Sequence, residues 1–192
     1  IPTFVVLGNG SGVYSINNGL TWTTMTMPAG NWYSVAYNGT TTFVAVAQSG
    51  TNRSATSTNG ITWSPTNLGL TTGFVGSTNW SSVAYGAGTF VAVAQSSINA
   101  AYSTDNGVTW TASVLPVNSS WKSITFGNGM FVAITQSGSI SATSLDGITW
   151  TQRGMSSTGT WYSVAYGTNA IGDPSLVAIS STLGLSAYST KL

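Results

Sequence analysis

Residues Trp80–Trp110, WSSVAYGAGTFVAVAQSSINAAYSTDNGVTW, contain both of the phrases that this 192-residue chain repeats. A strand phrase, W-x-S-V/I, begins at Trp32, Trp80, Trp121 and Trp161. A turn phrase, N/D-G-x-T-W, ends at Trp22, Trp63, Trp110 and Trp150. Together the two phrases account for all eight tryptophans, so the chain is an array of related units.

The interval and the content of these units predict a β-propeller. Successive copies of either phrase lie about 40 to 48 residues apart, an interval typical of four-stranded blades. Within one unit, Trp80–Tyr85 alternates large and small residues, and Phe90–Ala94 is an apolar run typical of a strand buried on both faces. A third and a fourth strand follow, and the turn at Asn106-Gly107 joins them.

We therefore expect an all-β fold, a β-propeller of about five four-stranded blades in a single domain over residues 1–192. The units cover about residues 1–31, 32–79, 80–120, 121–160 and 161–192. The first and last blades are incomplete, because Thr3–Leu7 corresponds to a second strand and Leu185–Thr190 to a third. Either the five blades close with two incomplete, or the unfinished edges pair with another chain or a longer array.

The composition removes most catalytic chemistry. The chain has no histidine, no cysteine and three acidic residues, all of them aspartate. Nucleophile triads and zinc sites ordinarily need histidine or cysteine, and glycoside hydrolysis needs a facing pair of carboxylates. Asp105 and Asp146 fall in corresponding turns of different blades, so we expect them to lie far apart. The sequence predicts no enzyme activity, no catalytic residue, no metal and no cofactor.

The charge of the chain bears on its partners. Charged residues make up 4% of the chain and the formal net charge is +1, whereas ordinary soluble domains are about a quarter charged. Four scattered bases do not form a nucleic-acid footprint, and apolar runs of about five residues are far shorter than the roughly 20 that cross a membrane. We expect no nucleic-acid partner and no membrane insertion. Weak charge repulsion between copies favours self-association.

The third turn phrase resembles a known family. Ser103 to Trp110 matches the Asp-box, or bacterial neuraminidase repeat, pattern S-x-D-x-G-x-T-W in full. The resemblance implies a fold-stabilising turn in which the structural residues are Ser103, Asp105, Gly107, Thr109 and Trp110. Counted back from the glycine, the aspartate position holds Asn17, Thr58 and Leu145 in the other units.

Sialidases are the best-known enzymes of this family, and the chain lacks their active site. The resemblance implies three arginines around a substrate carboxylate, a tyrosine nucleophile assisted by glutamate, and an aspartate acid/base. This chain has two arginines and no glutamate, so no residue of that active site is assigned to it.

One position of the strand phrase varies while its neighbours hardly change. The residue after the tryptophan is Tyr33, Ser81, Lys122 or Tyr162. Strand alternation turns this position away from the tryptophan face. It is either a tolerant packing position or a ligand-facing one, lining a groove where aromatic and polar groups meet a glycan.

Two functions remain. The first is a structural or assembly module on an extracellular or virion surface, favoured by the low charge and the unfinished end blades. The second is a lectin-like propeller with one shallow glycan site per repeat, favoured by the aromatic residues of the strand phrase. An intracellular assembly factor, like the photosystem-associated members of the family, is less favoured because it would be expected to present a charged partner face.

Overall fold

A computed structural model of the chain describes residues 4–68, 72–76, 78–168, 173–181 and 186–189. No helix within these ranges is long and apolar enough to span a membrane. The fold is all-β, and its strands are β1 (Phe4–Ser15), β2 (Thr23–Tyr37), β3 (Phe43–Ala47), β4 (Arg53–Ser57), β5 (Ser64–Asn67), β6 (Asn79–Gly86), β7 (Thr89–Gln95), β8 (Ser97–Ser103), β9 (Thr111–Ser119), β10 (Trp121–Gly127), β11 (Met130–Thr135), β12 (Ser137–Ser144), β13 (Thr151–Thr168), β14 (Pro174–Ser180) and β15 (Ser186–Ser189).

The strands form three antiparallel sheets, and in each sheet they follow one another in chain order. These sheets contain β1 to β5, β6 to β9 and β10 to β15. The long strands β2 and β13 change partner along their length. The first part of β2 pairs with β1 and the part from Trp32 onward pairs with β3, while β13 pairs first with β12 and from Trp161 onward with β14.

Two-residue turns close the hairpins that follow β6 and β10. Ala87-Gly88 and Asn128-Gly129 all have positive φ, between 48° and 78°. Positive φ at both central residues gives a turn whose twist matches that of the flanking strands, and glycine adopts it without steric cost. These turns place the apolar strands β7 and β11 directly beside the strand-phrase strands β6 and β10.

The strand-phrase tryptophans are the centre of the core. Trp32 is 3% exposed, and Trp80, Trp121 and Trp161 are completely buried. Each of the four belongs to a different apolar cluster, and each cluster joins residues of two successive units. The second strands of the second, third and fourth units, β3, β7 and β11, are buried on both faces, as their apolar runs predicted. Burying a large apolar side chain contributes about 1.5–3 kcal/mol, so stacking between units stabilises the array.

A repeated hydrogen bond joins the strand-phrase strands, which we call the inner strands. The serine hydroxyl of one strand phrase accepts a bond from a backbone N–H of the next unit. The three bonds run from Val83 N to Ser34 Oγ (3.1 Å), from Ile124 N to Ser82 Oγ (3.2 Å) and from Val164 N to Ser123 Oγ (3.1 Å). The four inner strands therefore lie side by side in chain order. They are the part of β2 from Trp32 onward, β6, β10, and the part of β13 from Trp161 onward.

The predicted terminal strands are only partly within the described residues. Thr3, Leu185 and Thr190 lie outside them. Phe4–Leu7 is the first part of β1, which continues to Ser15. A Cβ atom on Gly12 would lie 3.3 Å from Leu7 Cδ2 and 3.2 Å from the Val6 carbonyl oxygen, so the two halves of β1 lie side by side.

Candidate functional site

The variable position of the strand phrase is a β-bulge in every inner strand. In β6, for example, Trp80 pairs with Ala94 and Ser82 with Val93, so the residue between them has no partner of its own. The same shift follows Trp32, Trp121 and Trp161. A bulge re-aims the side chain of its extra residue. The bulged residues are the four that the sequence singled out, Tyr33, Ser81, Lys122 and Tyr162.

These residues converge on one place. The Lys122 ammonium lies over the Tyr33 ring, 5.7 Å from its centroid, and over the Tyr162 ring, 5.9 Å from its centroid. Both distances allow a cation–π interaction. Tyr33 and Tyr162 belong to different units on either side of Lys122, so this Tyr–Lys–Tyr cluster is a single site built by three units. The alternative of one shallow glycan site per repeat stays a prediction.

Ser81 gives the lysine room to reach Tyr33. Its strand, β6, lies between the strands of Tyr33 and Lys122. The Ser81 side chain is buried, and its hydroxyl donates to the carbonyls of Trp121 (2.7 Å) and Val93 (3.1 Å). Because the Ser81 side chain is small and bonded to the backbone, it does not block the Lys122 side chain from crossing β6 to the Tyr33 ring.

The Tyr–Lys–Tyr cluster is accessible and positively charged. Tyr33 is 45% exposed and Tyr162 is 49% exposed, while Lys122 is half-buried. Within the part of the chain that the structure describes, Lys122 makes no ion pair. The carboxylates of Asp105 and Asp146 are bound within their own turns.

Side-chain amides lie at the same ends of the inner strands. Gln48 N–H donates to the Asn31 carbonyl, two residues before Tyr33, and Gln95 pairs with Asn79, two residues before Ser81. The Gln48 amide donates to Gln95 Oε1 at 2.8 Å and so links two units. The sequence analysis did not single out these glutamines, although a glutamine follows the second strand in three successive units.

The turn phrase of the third unit is a closed set of hydrogen bonds. Asp105 Oδ1 accepts from the Ser103 hydroxyl (2.8 Å) and from Thr109 N–H (2.9 Å), and its Oδ2 accepts from the Thr109 hydroxyl (2.6 Å). Gly107 N–H donates to the Ser103 hydroxyl at 2.9 Å. Both oxygens of Asp105 are therefore engaged by its own turn.

The other three turns have the same design, with a different spacing in two of them. In the first unit Asn17 accepts from Ser15 and from Thr21 N–H. In the second and fourth units the acceptors are Asn59 and Asp146. Assigning the acceptor position to Thr58 and Leu145 was wrong. In all four turns the acceptor lies two residues after the serine, but in the second and fourth turns the glycine follows the acceptor directly. Counting back from the glycine therefore gives the wrong residue in these two turns.

Hydrogen bonding determines the ionisation of both turn aspartates. Burial alone would raise the pKa of Asp105, but the side-chain and backbone donors of Thr109 and the Ser103 hydroxyl outweigh it and lower that pKa. The backbone N–H groups of Thr149 and Ile148 lower the pKa of Asp146. A carboxylate that accepts several hydrogen bonds is stabilised in its charged form, so both residues are ionised at neutral pH.

A shallow cleft lies beside the fourth turn. It has a volume of about 390 Å³, and its lining includes Asp146, Arg153 and Met130. The Asp146 carboxylate is already bound by its turn, and Arg153 Nε donates to the Thr143 hydroxyl at 3.2 Å. Among the described residues no three carboxylate, imidazole or thiol groups come together as a metal site. Asp146 and Arg153 in the cleft are therefore already hydrogen-bonded within the protein, whereas Lys122 of the Tyr–Lys–Tyr cluster makes no ion pair among the described residues.

The last unit exposes an apolar face that is buried in the units before it. Strand register makes Val177 and Ile179 equivalent to the valine or isoleucine pairs of β3, β7 and β11. Those pairs are between 0% and 6% exposed, whereas Val177 is 42% and Ile179 is 54% exposed. The difference arises because a following unit covers each earlier pair. We call Val177 and Ile179 the front face.

The first unit exposes the complementary face. Phe4 and Val6 are 51% and 52% exposed, while their counterparts in the third and fourth units, a phenylalanine and an alanine, are fully buried. Trp22, in the first turn phrase, is 45% exposed, whereas Trp63 and Trp110 are 8% and 7% exposed. The buried pair packs against the preceding unit, and no preceding unit lies among the described residues. We call Phe4, Val6 and Trp22 the back face.

The turn-phrase glycines show how a back face meets a front face. A Cβ atom on Gly107 would lie 2.8 Å from Val44, and one on Gly147 would lie 2.3 Å from Val91. Each turn therefore packs tightly on the second strand of the preceding unit. A Cβ atom on Gly19, in the first turn, would meet only Trp22 of the same turn among the described residues.

Solved structures with this arrangement of strands are β-propeller proteins. The chain is similar to a structure described as YCF48 bound to D1 peptide, with a TM-score of 0.66 and 19% identity over 95% of this chain and 57% of that chain. It is similar to virginiamycin B lyase from Staphylococcus aureus, with a TM-score of 0.68 and 15% identity over 95% of this chain and 64% of that chain. A nidogen/laminin complex gives a TM-score of 0.72 and 11% identity over 98% of this chain and 74% of that chain.

Similarity at these identities shows the fold alone, and the fold is a β-propeller. The chain spans 57% of the length of the first of these structures and 64% of the second. No protein-family model matches the chain, and no curated protein sequence matches it.

Proposed function

We propose that this propeller is a non-catalytic structural module whose copies join head to tail, the front face of one copy packing on the back face of the next. The observation that carries the proposal is the exposure of Val177 and Ile179. The same position is covered by the following unit at every earlier junction, so these side chains belong to a junction of which the chain supplies only one half.

The proposed contact has the chemistry of the internal junctions. Inside the chain, a turn phrase packs its glycine and its tryptophan on the valine pair of the unit before it. Gly19 and Trp22 are the corresponding residues of the first unit, and Val177 is the corresponding valine of the last. Covering each large apolar side chain contributes about 1.5–3 kcal/mol, and a formal net charge of +1 gives little repulsion between copies.

A head-to-tail contact is heterologous, since two different surfaces meet. Repetition of such a contact gives a ring when the rotation between copies closes and a filament when it does not. Either outcome removes the exposed apolar faces. Both are compatible with a structural module on an extracellular or virion surface, which the surface rich in serine, threonine and asparagine and poor in charge also supports.

We further infer that the propeller has five blades of the Asp-box type, the first and last of them incomplete. Four bulged inner strands, four hydrogen-bonded turns and four apolar clusters support this division. Each internal unit then consists of an inner strand, an apolar strand, a third strand that ends in the turn serine, and a fourth strand that follows the turn tryptophan.

The absence of catalysis is part of the same proposal. The fold alone permits enzymes, since virginiamycin B lyase has it; a variant of that lyase with a histidine replaced by alanine is described as catalytically inactive. This chain has no histidine, and its two best-defined carboxylates are bound in their turns. We expect no turnover of sialosides or other glycosides, measured by release of a chromogenic leaving group.

The oligomeric state tests the assembly. We expect the wild-type mass in solution, measured by light scattering, to rise with protein concentration above the 19.7 kDa of one chain. Val177→Lys/Ile179→Lys, which places two charges on the front face, is expected to remain a monomer. The matched control is Val108→Lys/Val114→Lys, because those residues are also exposed but lie outside both faces. A wild-type protein that stays monomeric at millimolar concentration would contradict the proposal.

Glycan binding is a second candidate function, and the geometry of the Tyr–Lys–Tyr cluster favours it. It requires no change in the assembly, because the cluster uses none of the residues of the front or back face.

A further inference from the structure

We propose that the Tyr–Lys–Tyr cluster binds a saccharide that carries a carboxylate, with Lys122 pairing with the carboxylate and the two tyrosines contacting the sugar ring. This inference is independent of the head-to-tail assembly. It rests on the charge of the lysine, the exposure of the tyrosines and the convergence of three units.

The lysine supplies the charge recognition. Lys122 has no ion pair among the described residues, and the two tyrosine rings hold its ammonium at 5.7 and 5.9 Å from their centroids. A long flexible side chain that is already held in place loses less conformational freedom when it binds an anion. The chain contains only four basic and three acidic residues, so few other charges compete with this site for a negatively charged ligand.

The tyrosines supply the recognition of a sugar. Each ring is about half exposed and combines an apolar face with a hydroxyl group. A pyranose ring matches this surface, because its C–H face packs on an aromatic ring while its hydroxyl groups form hydrogen bonds. The amides of Gln48 and Gln95, linked by a hydrogen bond at the same ends of the inner strands, are further hydrogen-bonding groups at this end of the array.

The shape of the site favours one ligand across several units. Ser81 presents no side chain above β6, since its hydroxyl is bonded to the carbonyls of Trp121 and Val93. The surface between Tyr33 and Tyr162 is therefore spanned by the lysine alone. Both rings are about half exposed, which suits a saccharide lying on them better than it suits the enclosed anchoring of an apolar side chain.

Binding of an acidic oligosaccharide and of its neutral ester tests the proposal. We would titrate wild-type protein with tetragalacturonate and with its methyl ester, in which each carboxylate is replaced by an uncharged ester, and follow ligand resonances by NMR. We expect the acid to bind at least tenfold more tightly than the ester, because a hydrogen bond to a charged partner exceeds a neutral one by about this factor.

Two variants separate the lysine from charge in general. Lys122→Met keeps the length of the side chain and removes its charge, and we expect about tenfold weaker binding of the acid with no change for the ester. Arg153→Met removes one positive charge elsewhere and should bind the acid like the wild type. Tyr33→Leu/Tyr162→Leu should weaken both ligands.

Several results would overturn the proposal. Equal binding of acid and ester, or equal losses in Lys122→Met and Arg153→Met, would show that Lys122 does not recognise a carboxylate. Acetate, or a peptide with a free carboxyl terminus, binding as tightly as tetragalacturonate would show that the sugar ring is not recognised. If the acid does not bind at about 10 mM ligand, a concentration at which even weak specific binding is detected, the cluster is not a saccharide-binding site.

Discussion

The acceptor of each turn phrase is one side chain, and the chain uses aspartate and asparagine for it. Asp105 and Asp146 carry a charge, whereas Asn17 and Asn59 accept the equivalent hydrogen bonds without one. The function of the acceptor in the turn is therefore hydrogen bonding to the serine hydroxyl and to backbone N–H groups. The charge itself is dispensable for the shape of the turn.

We predict that Asp105→Asn changes the free energy of unfolding by about 1 kcal/mol or less, because asparagine keeps the acceptor oxygen. Asp105→Ala removes the acceptor and should cost more, since Thr109 N–H and the Ser103 hydroxyl then lose a partner. Urea unfolding followed by tryptophan fluorescence measures both. Equal losses in the two variants would show that the carboxylate charge, and not the acceptor geometry, stabilises the turn.

The two turn aspartates should stabilise the fold less in acid than at neutral pH. The pKa of Asp105 and that of Asp146 are lowered in the folded protein, so folding favours their ionised forms. This contribution is complete above the unfolded pKa of about 4 and is lost as the pH falls through the lowered folded values. Urea midpoints measured from pH 6 down to pH 2 should therefore decline less in Asp105→Asn/Asp146→Asn than in the wild type. An identical decline would contradict the account.

At the scale of the element, the inner strands β10 and β13 each pack an aromatic ring on a glycine of the inner strand before them. A Cβ atom on Gly86 would lie 2.0 Å from the Phe126 ring, and one on Gly127 would lie 1.9 Å from the Tyr166 ring. Gly167 is the equivalent glycine of the last unit, and no described atom lies within 4 Å of the corresponding Cβ position. Gly86 and Gly127 thus leave no room for a side chain, whereas a side chain at the equivalent Gly167 would meet no described atom.

We predict that Gly86→Ala and Gly127→Ala each lower the free energy of unfolding by about 1–3 kcal/mol, the usual cost of overpacking. Gly167→Ala is the matched control and should stay within about 0.5 kcal/mol of the wild type. Thermal and urea unfolding of the three variants measure these differences. A control variant that loses as much as the other two would show that backbone freedom, and not the ring contact, explains the glycine.

The sequence predicted these elements better than it predicted their contacts. The strand phrase and the apolar run each identified a strand, because strand patterning is local and side chains alternate with a period of two. The bulge after each strand-phrase tryptophan is also local, but no residue type marks it. Convergence of Tyr33, Lys122 and Tyr162 depends on four successive units lying side by side, with Ser81 in the unit between Tyr33 and Lys122. The sequence therefore predicted the position as ligand-facing without showing that its side chains come together.

At the scale of the whole molecule, the described chain is an array with two different ends. Repeat counting predicted the all-β propeller fold, since four copies of each phrase fix the period. Which residues the first and last units expose required the strand registers, because Val177 and Val91 occupy equivalent strand positions and differ in whether another described unit packs on them. The front and back faces are therefore properties of the array and not of any single unit.

The head-to-tail account predicts that two chains with opposite defects complement each other. Val177→Lys/Ile179→Lys damages the front face and leaves the back face intact, while Phe4→Lys/Val6→Lys damages the back face and leaves the front face intact. Alone, each variant has no complete junction to form with itself. An equal mixture has one complete junction, between the intact front face of one variant and the intact back face of the other.

Light scattering of that mixture tests the central claim most directly. Each variant alone should have the mass of one chain, 19.7 kDa, and the equal mixture should have about twice that mass without growing further as concentration rises. A mixture that keeps the mass of a single chain, or a variant that assembles by itself, would contradict the claim that each end of the array carries one half of the junction.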